Sequence, residues 1–205
     1  MKYFIDCGAH CGESIVRAKQ QFGPEVVIIS FEAVPELANQ LIELYKDDDA
    51  VSVQNSAVYI KDGSIEFNLS PAFTDGSSIL NTLNNNHLGN QAKVPCFDIS
   101  KWIKQTFDIN DYIILKLDIE GAEYDVIEKL YEDGNINMIS ELWGEWHEGH
   151  IKSNLSTDDA KIFQNKVDNV YSILKKSNKE LKIWEAYYNK YDTNLTKRPD
   201  TLCKK

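Results

Sequence analysis

Apolar runs and amphipathic runs alternate along this chain. Tyr3, Phe4 and Ile5 give a short buried-strand signal, and residues 13–22 follow with Ile15, Val16, Ala18 and Phe22 at helical spacing until Gly23-Pro24 stops them. A second apolar run, residues 26–31, ends at Glu32; Pro35 suits a first helical turn, and Leu37, Leu41 and Leu44 make the buried stripe of a second helix. Residues 51–58 alternate as a third strand. Asp62-Gly63, between residues 58–60 and 65–69, predicts an inserted β-hairpin. Residues 94–97 read as another short strand, and Asp98 or Ser100 can cap a helix carrying Trp102, Ile103 and Phe107. The run 112–117 is what a central parallel strand buried on both faces requires. Val126, Ile127, Leu130 and Tyr131 mark the helix behind it, ended by Gly134, and residues 136–142 make a fifth strand. Ser156 starts a long helix with Ile162, Phe163, Val167, Val170, Ile173 and Leu174 inward, and residues 181–188 read as an aromatic-rich strand.

Strands alternating with helices predict an α/β fold, a doubly wound, mostly parallel sheet with the hairpin inserted. One domain over residues 1–190 is expected, with a loosely ordered tail over 191–205. Residues 70–92 are crowded with Ser, Asn, Thr and Gly; a stretch of that length is either functional or disordered, and a substrate lid around residues 76–80 is the functional expectation.

The first strand-to-helix junction carries the most chemistry. It reads Asp6-Cys7-Gly8-Ala9-His10-Cys11-Gly12, a D-x-G-x-x-x-G spacing that lacks the third glycine of the dinucleotide fingerprint. Gly8 and Gly12 let backbone approach a ligand, and Asp6 would set a negative charge where a pyrophosphate is unwelcome and an ammonium is welcome. Glu32, twenty residues past Gly12, can accept from both hydroxyls of a ribose. Two such acids bracket an adenosyl amino acid, S-adenosylmethionine, while Asp6 and the missing third glycine oppose an NAD(P)-dependent oxidoreductase. Asn55 and Ser56, at the end of the third strand, fall within reach of an adenine edge, although a strand-ending turn accounts for them equally.

Charge narrows the partners. The 205 residues carry a formal charge of −10, which argues against nucleic acid and anionic membrane surfaces, both of which need clustered Lys and Arg. No stretch has the apolar length of a membrane span, and a strand beginning within two residues of Met1 argues against a signal peptide, so a cytoplasmic protein is expected. Cys7, Cys11, Cys96 and Cys203 show no metal or redox spacing and are expected to be free thiols.

Taken together, Phe4-Ile5-Asp6-Cys7-Gly8-Ala9-His10-Cys11-Gly12, Phe31-Glu32-Ala33-Val34-Pro35, Ala57-Val58, Gly76-Ser77-Ser78, Leu115-Lys116-Leu117-Asp118-Ile119-Glu120-Gly121-Ala122-Glu123, and Glu141 with His147 resemble the FkbM-type S-adenosylmethionine-dependent methyltransferases. The resemblance runs from about residue 3 to 147, and the Lys-x-Asp-x-Glu-Gly-Ala-Glu block is its most specific part. It implies a class I, Rossmann-like methyltransferase fold and methylation of a hydroxyl on a sugar or another small metabolite; an RNA or cap ribose hydroxyl is the alternative acceptor. The chain departs from the family where Glu32-Ala33-Val34-Pro35 replaces a Glu-Pro pair, and where Glu141 or Glu145 precedes His147 in place of a closer Glu-x-His.

The implied cofactor residues are Asp6, Gly8, Ala9, Gly12, Glu32, Asn55, Ser56 and Asp118. A hydroxyl must lose its proton, and Asp118, Glu120, Lys116 and His147, with Glu145 beside them, gather at adjacent strand ends where a general base belongs. Asp118 with Glu120 or Glu145 also offers hard oxygens that suit Mg²⁺. His147 has an ordinary alternative as a loop histidine packed among Trp143 and Trp146, and Glu123 reads as a first-turn acid favoured by the helix dipole.

Overall fold

β1 (Lys2–Cys7) takes the centre of a six-stranded sheet because its side chains are apolar on both faces: Phe4 packs to one side, Ile5 and Cys7 to the other. In this computed structural model, which describes residues 1–68 and 91–184, β1 is flanked by β2 (Val27–Glu32) and then β3 (Val51–Asn55) on one hand. On the other hand lie β7 (Tyr112–Leu117), β8 (Ile139–Gly144) and β9 (Leu181–Ile183), and every pairing in the sheet is parallel. The chain winds outward from β1 to β3 and returns to β7 on the opposite side of β1. That reversal is a topological switch point, and a crevice beyond the carboxyl ends of β1 and β7 is its usual consequence.

Helices α1 (Glu13–Phe22) and α2 (Pro35–Tyr45) follow β1 and β2. Ile15 and Ala18 of α1 meet Phe4, Ile28 and Ile114 on one face of the sheet. On the other face Ile5, Ile113, Leu115 and Leu117 pack against α3 (Ile99–Thr106), α4 (Glu123–Glu132) and α6 (Thr157–Lys176). Both expected caps are present: Asp98 accepts from the Lys101 N–H and Ser156 from the Asp159 N–H. A 3₁₀ turn at Asn135–Met138 delays the fifth strand, and a short helix α5 (Glu148–Ser153) was not foreseen. Leu44 and Ile162, expected inward, are 47% and 68% exposed, since each stripe extends beyond the surface it packs on.

The inserted β unit differs from its expected form. Ser56 breaks the third strand, and β4 (Ala57–Tyr59) leaves the main sheet. β4 then pairs in parallel with β6 (Gln91–Asp98), while β5 (Gly63–Asn68) pairs antiparallel with the other edge of β6. The turn at Asp62-Gly63 does connect β4 to β5, but the two do not pair, because β6 takes the place between them. Ile65, Phe67, Val94 and Cys96 of this small sheet bury Cys11, Val34 and Leu37. The junction after β1 is thereby clamped from above. The expected lid around residues 76–80, Gly76-Ser77-Ser78 and the tail lie outside the described residues.

Gly8 shows why this junction tolerates no side chain. Its φ is +94°, and a Cβ there would stand 1.9 Å from the carbonyl oxygen of Asp118. Gly63 also has a positive φ, +128°, but nothing lies within 4 Å of an added Cβ. Gly8→Ala is therefore expected to cost more than about 3 kcal/mol, backbone strain plus an unrelieved clash, and Gly63→Ala only the strain, about 1–3 kcal/mol. Urea midpoints of the two variants at constant m test the difference; equal shifts would remove the clash from the account.

Candidate functional site at the switch point

Register places three polar side chains in one row across the sheet. Ser30 of β2, Asp6 of β1 and Lys116 of β7 are Cα partners, and the period of two that sends Phe4 and Ile114 to the α1 face sends these three the same way. Asp6 has no exposed surface. Its Oδ2 accepts from Ser14 Oγ of α1 at 2.5 Å and from Ser30 Oγ at 3.1 Å, and its Oδ1 faces the Lys116 ammonium at 3.2 Å. Lys116, 1% exposed, also donates to the Gly8 carbonyl at 2.7 Å and lies 3.1 Å from Asp118 Oδ2. Three ammonium protons thus face three oxygens. Burial alone would lower its pKa, but the charges of Asp118 and Asp6 outweigh burial and raise it.

Beyond β7 the chain turns sharply, with φ of +52° at Glu120 and +103° at Gly121. Glu123, 1% exposed at the first turn of α4, holds this turn: its Oε1 accepts the Ile119 N–H and its Oε2 the Gly121 N–H, both at 2.8 Å. The same Oε1 lies 3.1 Å from His147 Nδ1. His147 Nε2 points the other way, 3.5 Å from Glu120 Oε2 and 3.8 Å from Asp118 Oδ1. Asp118, Glu120 and His147 each present one donor atom, all within 4.8 Å of one another. Burial would lower the His147 pKa, yet the hydrogen bond and charge of Glu123, then Glu120 and Asp118, raise it to about 9. Glu120 is pushed up to about 7, chiefly by burial; His147 pulls it down, but Asp118, Glu123 and Glu145 add to the rise.

On the far side of Gly8 stands Glu32. Phe31 and Leu117 are the β2 and β7 partners of Cys7, so Glu32 and Asp118 each lie one residue beyond it, two strand spacings or about 10 Å apart. Glu32 accepts the His10 N–H at 2.7 Å on Oε2 and the Val34 N–H at 2.8 Å on Oε1, leaving one lone-pair direction on each oxygen. Burial raises its pKa against those two hydrogen bonds. The amides of Gly8 and Ala9 both donate to the Phe31 carbonyl. Asn55 donates to the Glu32 and Ala33 carbonyls and Ser56 Oγ to the Pro95 carbonyl, so both serve the strand ends.

The family profile described as "Methyltransferase FkbM domain" matches residues 6–180, spanning both strand-end clusters. The chain belongs to this FkbM methyltransferase family. A solved FkbM methyltransferase from Methylobacillus flagellatus KT is similar at 14% identity and a TM-score of 0.40, over 65% of this chain and 30% of that one. No curated protein matches. Among the described residues, no helix is long and apolar enough to cross a membrane.

Within this FkbM domain the switch point brings together Lys116, Asp118, Glu120 and His147, and it draws in Glu123, whose role as a simple first-turn acid needs correction. Asp6 is turned into the protein and neutralised there, so it does not offer its charge to the crevice. Gly8 makes room for Asp118, and Gly12 for Leu41, whose Cδ2 would lie 2.7 Å from an added Cβ. Glu141 stands apart, bonded to Tyr112, Trp143 and Lys182. Cys7 and Cys96 are free thiols, as expected, and Cys203 lies outside the described residues. His10 was missed; only its place in the glycine loop could have pointed to it.

Two measurements follow from these charges. Lys116→Met leaves the Asp6 carboxylate buried without its cation and is expected to cost about 3–5 kcal/mol in denaturant melts; a loss under about 1 kcal/mol would mean Ser14 and Ser30 suffice. His147 binds its proton more tightly folded than unfolded. Its contribution is full below about pH 6.5 and is lost as pH rises through about 9, while that of Glu120, also raised, is lost between about 4.5 and 7. The contribution of these two groups should therefore fall from acid to mildly alkaline pH, with the His147 ring titrating near 9 by NMR. A ring midpoint near 6.5 would contradict the pairing with Glu123.

Proposed function

We propose that the chain transfers the methyl group of S-adenosylmethionine to a hydroxyl oxygen of a sugar or another small metabolite. The observation that carries this reading is Glu120: a carboxylate lifted to about 7, held by an unusual backbone angle at the carboxyl end of the central strand of a methyltransferase fold. A general base works best with a pKa near the operating pH. Lys116 is a fixed ammonium and His147 is protonated at neutral pH, so neither is the base that the sequence allowed; Asp118 is engaged with Lys116.

In this scheme Glu32 accepts from the ribose hydroxyls with its outward lone pairs, and Gly8, Ala9 and Gly12 shape the loop beside them. The acceptor oxygen bonds to the methyl carbon, the carbon–sulfur bond breaks with its electron pair left on sulfur, and the hydroxyl proton passes to Glu120. His147, with Nε2 3.5 Å from Glu120 Oε2, holds Glu120 in place. The acceptor is read as a small molecule because the chain is strongly acidic, which disfavours the RNA alternative. A cytoplasmic setting is supported by the free thiols of Cys7 and Cys96.

A divalent cation is the second reading. The donors of Asp118, Glu120 and His147 fit one, although a set with imidazole suits a transition ion better than the all-oxygen preference of Mg²⁺. Such an ion would lower the pKa of the acceptor hydroxyl.

Incubation with S-adenosylmethionine and pools of sugars, nucleotide-sugars and capped RNA should yield a 14-dalton gain in a small hydroxylated compound, about that of one methylene. Glu120→Gln should keep cofactor affinity within a few-fold by calorimetry and lose turnover by at least about 10²-fold. Turnover near wild type would move the base to another residue. Activity lost with EDTA and restored by a divalent ion would favour the metal reading.

A further inference from the structure

Glu123 has no part in the scheme above, yet it is among the most completely engaged acids at the crevice. Its side chain is 1% exposed, and its two oxygens meet three donors from two separate segments: the Ile119 and Gly121 amides and the His147 ring. An acid that merely complemented the helix dipole would need none of these partners. Tyr124, Val126, Ile127 and Leu130 anchor α4 in the main hydrophobic core, so Glu123 takes its position from that core. Whatever it holds inherits that rigidity.

We infer that Glu123 is a positioning residue for the methyl transfer proposed above, fixing the turn that carries Glu120 and aiming His147 Nε2 at Glu120 and Asp118. The inference rests on that functional reading. The geometry behind it is a carboxylate–imidazole pair in which Nδ1–H is bound from behind and Nε2 faces the reacting side, the arrangement by which a buried acid sets an imidazole's orientation. One oxygen serves both the turn and the ring, so displacing Glu123 disturbs both at once.

Glu123→Gln tests this, because an amide keeps the shape but offers a single accepting oxygen for three donors. NMR of the full wild-type chain should show a His147 Nδ1–H exchanging slowly with solvent, and Glu123→Gln should speed that exchange at least about tenfold. Calorimetry with S-adenosylmethionine should find affinity within a few-fold, and it counts the competent sites. Per such site, methyl transfer to the acceptor from the pool scan should fall about 10- to 10²-fold, the cost of misplacing a reacting group by a fraction of an ångström to one ångström. A structural role alone would change the number of competent sites and leave the rate per site intact, which would overturn the inference. So would a wild-type His147 with no protected Nδ1–H, a measurement that decides the matter even if Glu123→Gln does not fold. Wild type that moves no methyl group at all would instead overturn the functional reading, whatever the ring shows.

Discussion

The ammonium of Lys116 is the charge on which this site depends. It lies buried where the carboxyl ends of β1 and β7 meet, between the carboxylates of Asp6 and Asp118, and it donates to the Gly8 carbonyl beside it. Two carboxylates this close in a water-poor setting would otherwise repel, and burying either unpaired would cost several kcal/mol. The cation between them offsets that repulsion and joins the loop after β1 to the loop after β7. The ring of Glu120, Glu123 and His147 is built outward from Asp118, so its electrostatics begin at the same ammonium. Glu120 keeps a raised pKa chiefly because it is buried; His147 lowers it, and Asp118, Glu123 and Glu145 add to the rise.

Much of the framework was legible in the chain. The apolar runs ending at Asp6, Glu32 and Asp118 and the amphipathic runs after them specify a doubly wound sheet, because periods of 2 and 3.6 admit few other arrangements. Register was not legible. That Asp6 faces Lys116 and Ser30, and so lies inside, depends on which residues become neighbours across strands that are far apart in the chain, 24 positions for Ser30 and many more for Lys116. The same limit hid the work of Glu123, whose donors sit at positions 119, 121 and 147, and the true partner of β4, which lies across a long connection in β6. Local turn chemistry at Asp62-Gly63 was read correctly as a turn, but tertiary pairing decided what the turn joined.

The glycines show a related shift of meaning. In the sequence they look like openings for a ligand; in the structure they are contacts between protein segments, Gly8 against Asp118 and Gly12 against Leu41. The cofactor loop is shaped by what it must press against, and its amides at Gly8 and Ala9 are spent on β2. Glu32 accepts the amides of His10 and Val34 and keeps one further lone-pair direction on each oxygen.

The row Ser30, Asp6, Lys116 also bears on how such a chain can change over generations. Each member is tolerable only in the company of the others: an apolar residue at 116 strands the acid at 6, and an apolar residue at 6 leaves the cation with fewer partners. Replacing the whole row by hydrocarbon of equal volume could keep the sheet intact, since buried ion pairs are often no better than good packing. The fold would survive that exchange while Asp118 lost its counterion. The row therefore behaves as a single inherited character, free to drift as a block in a protein that only needs to fold and locked in one that still needs its crevice.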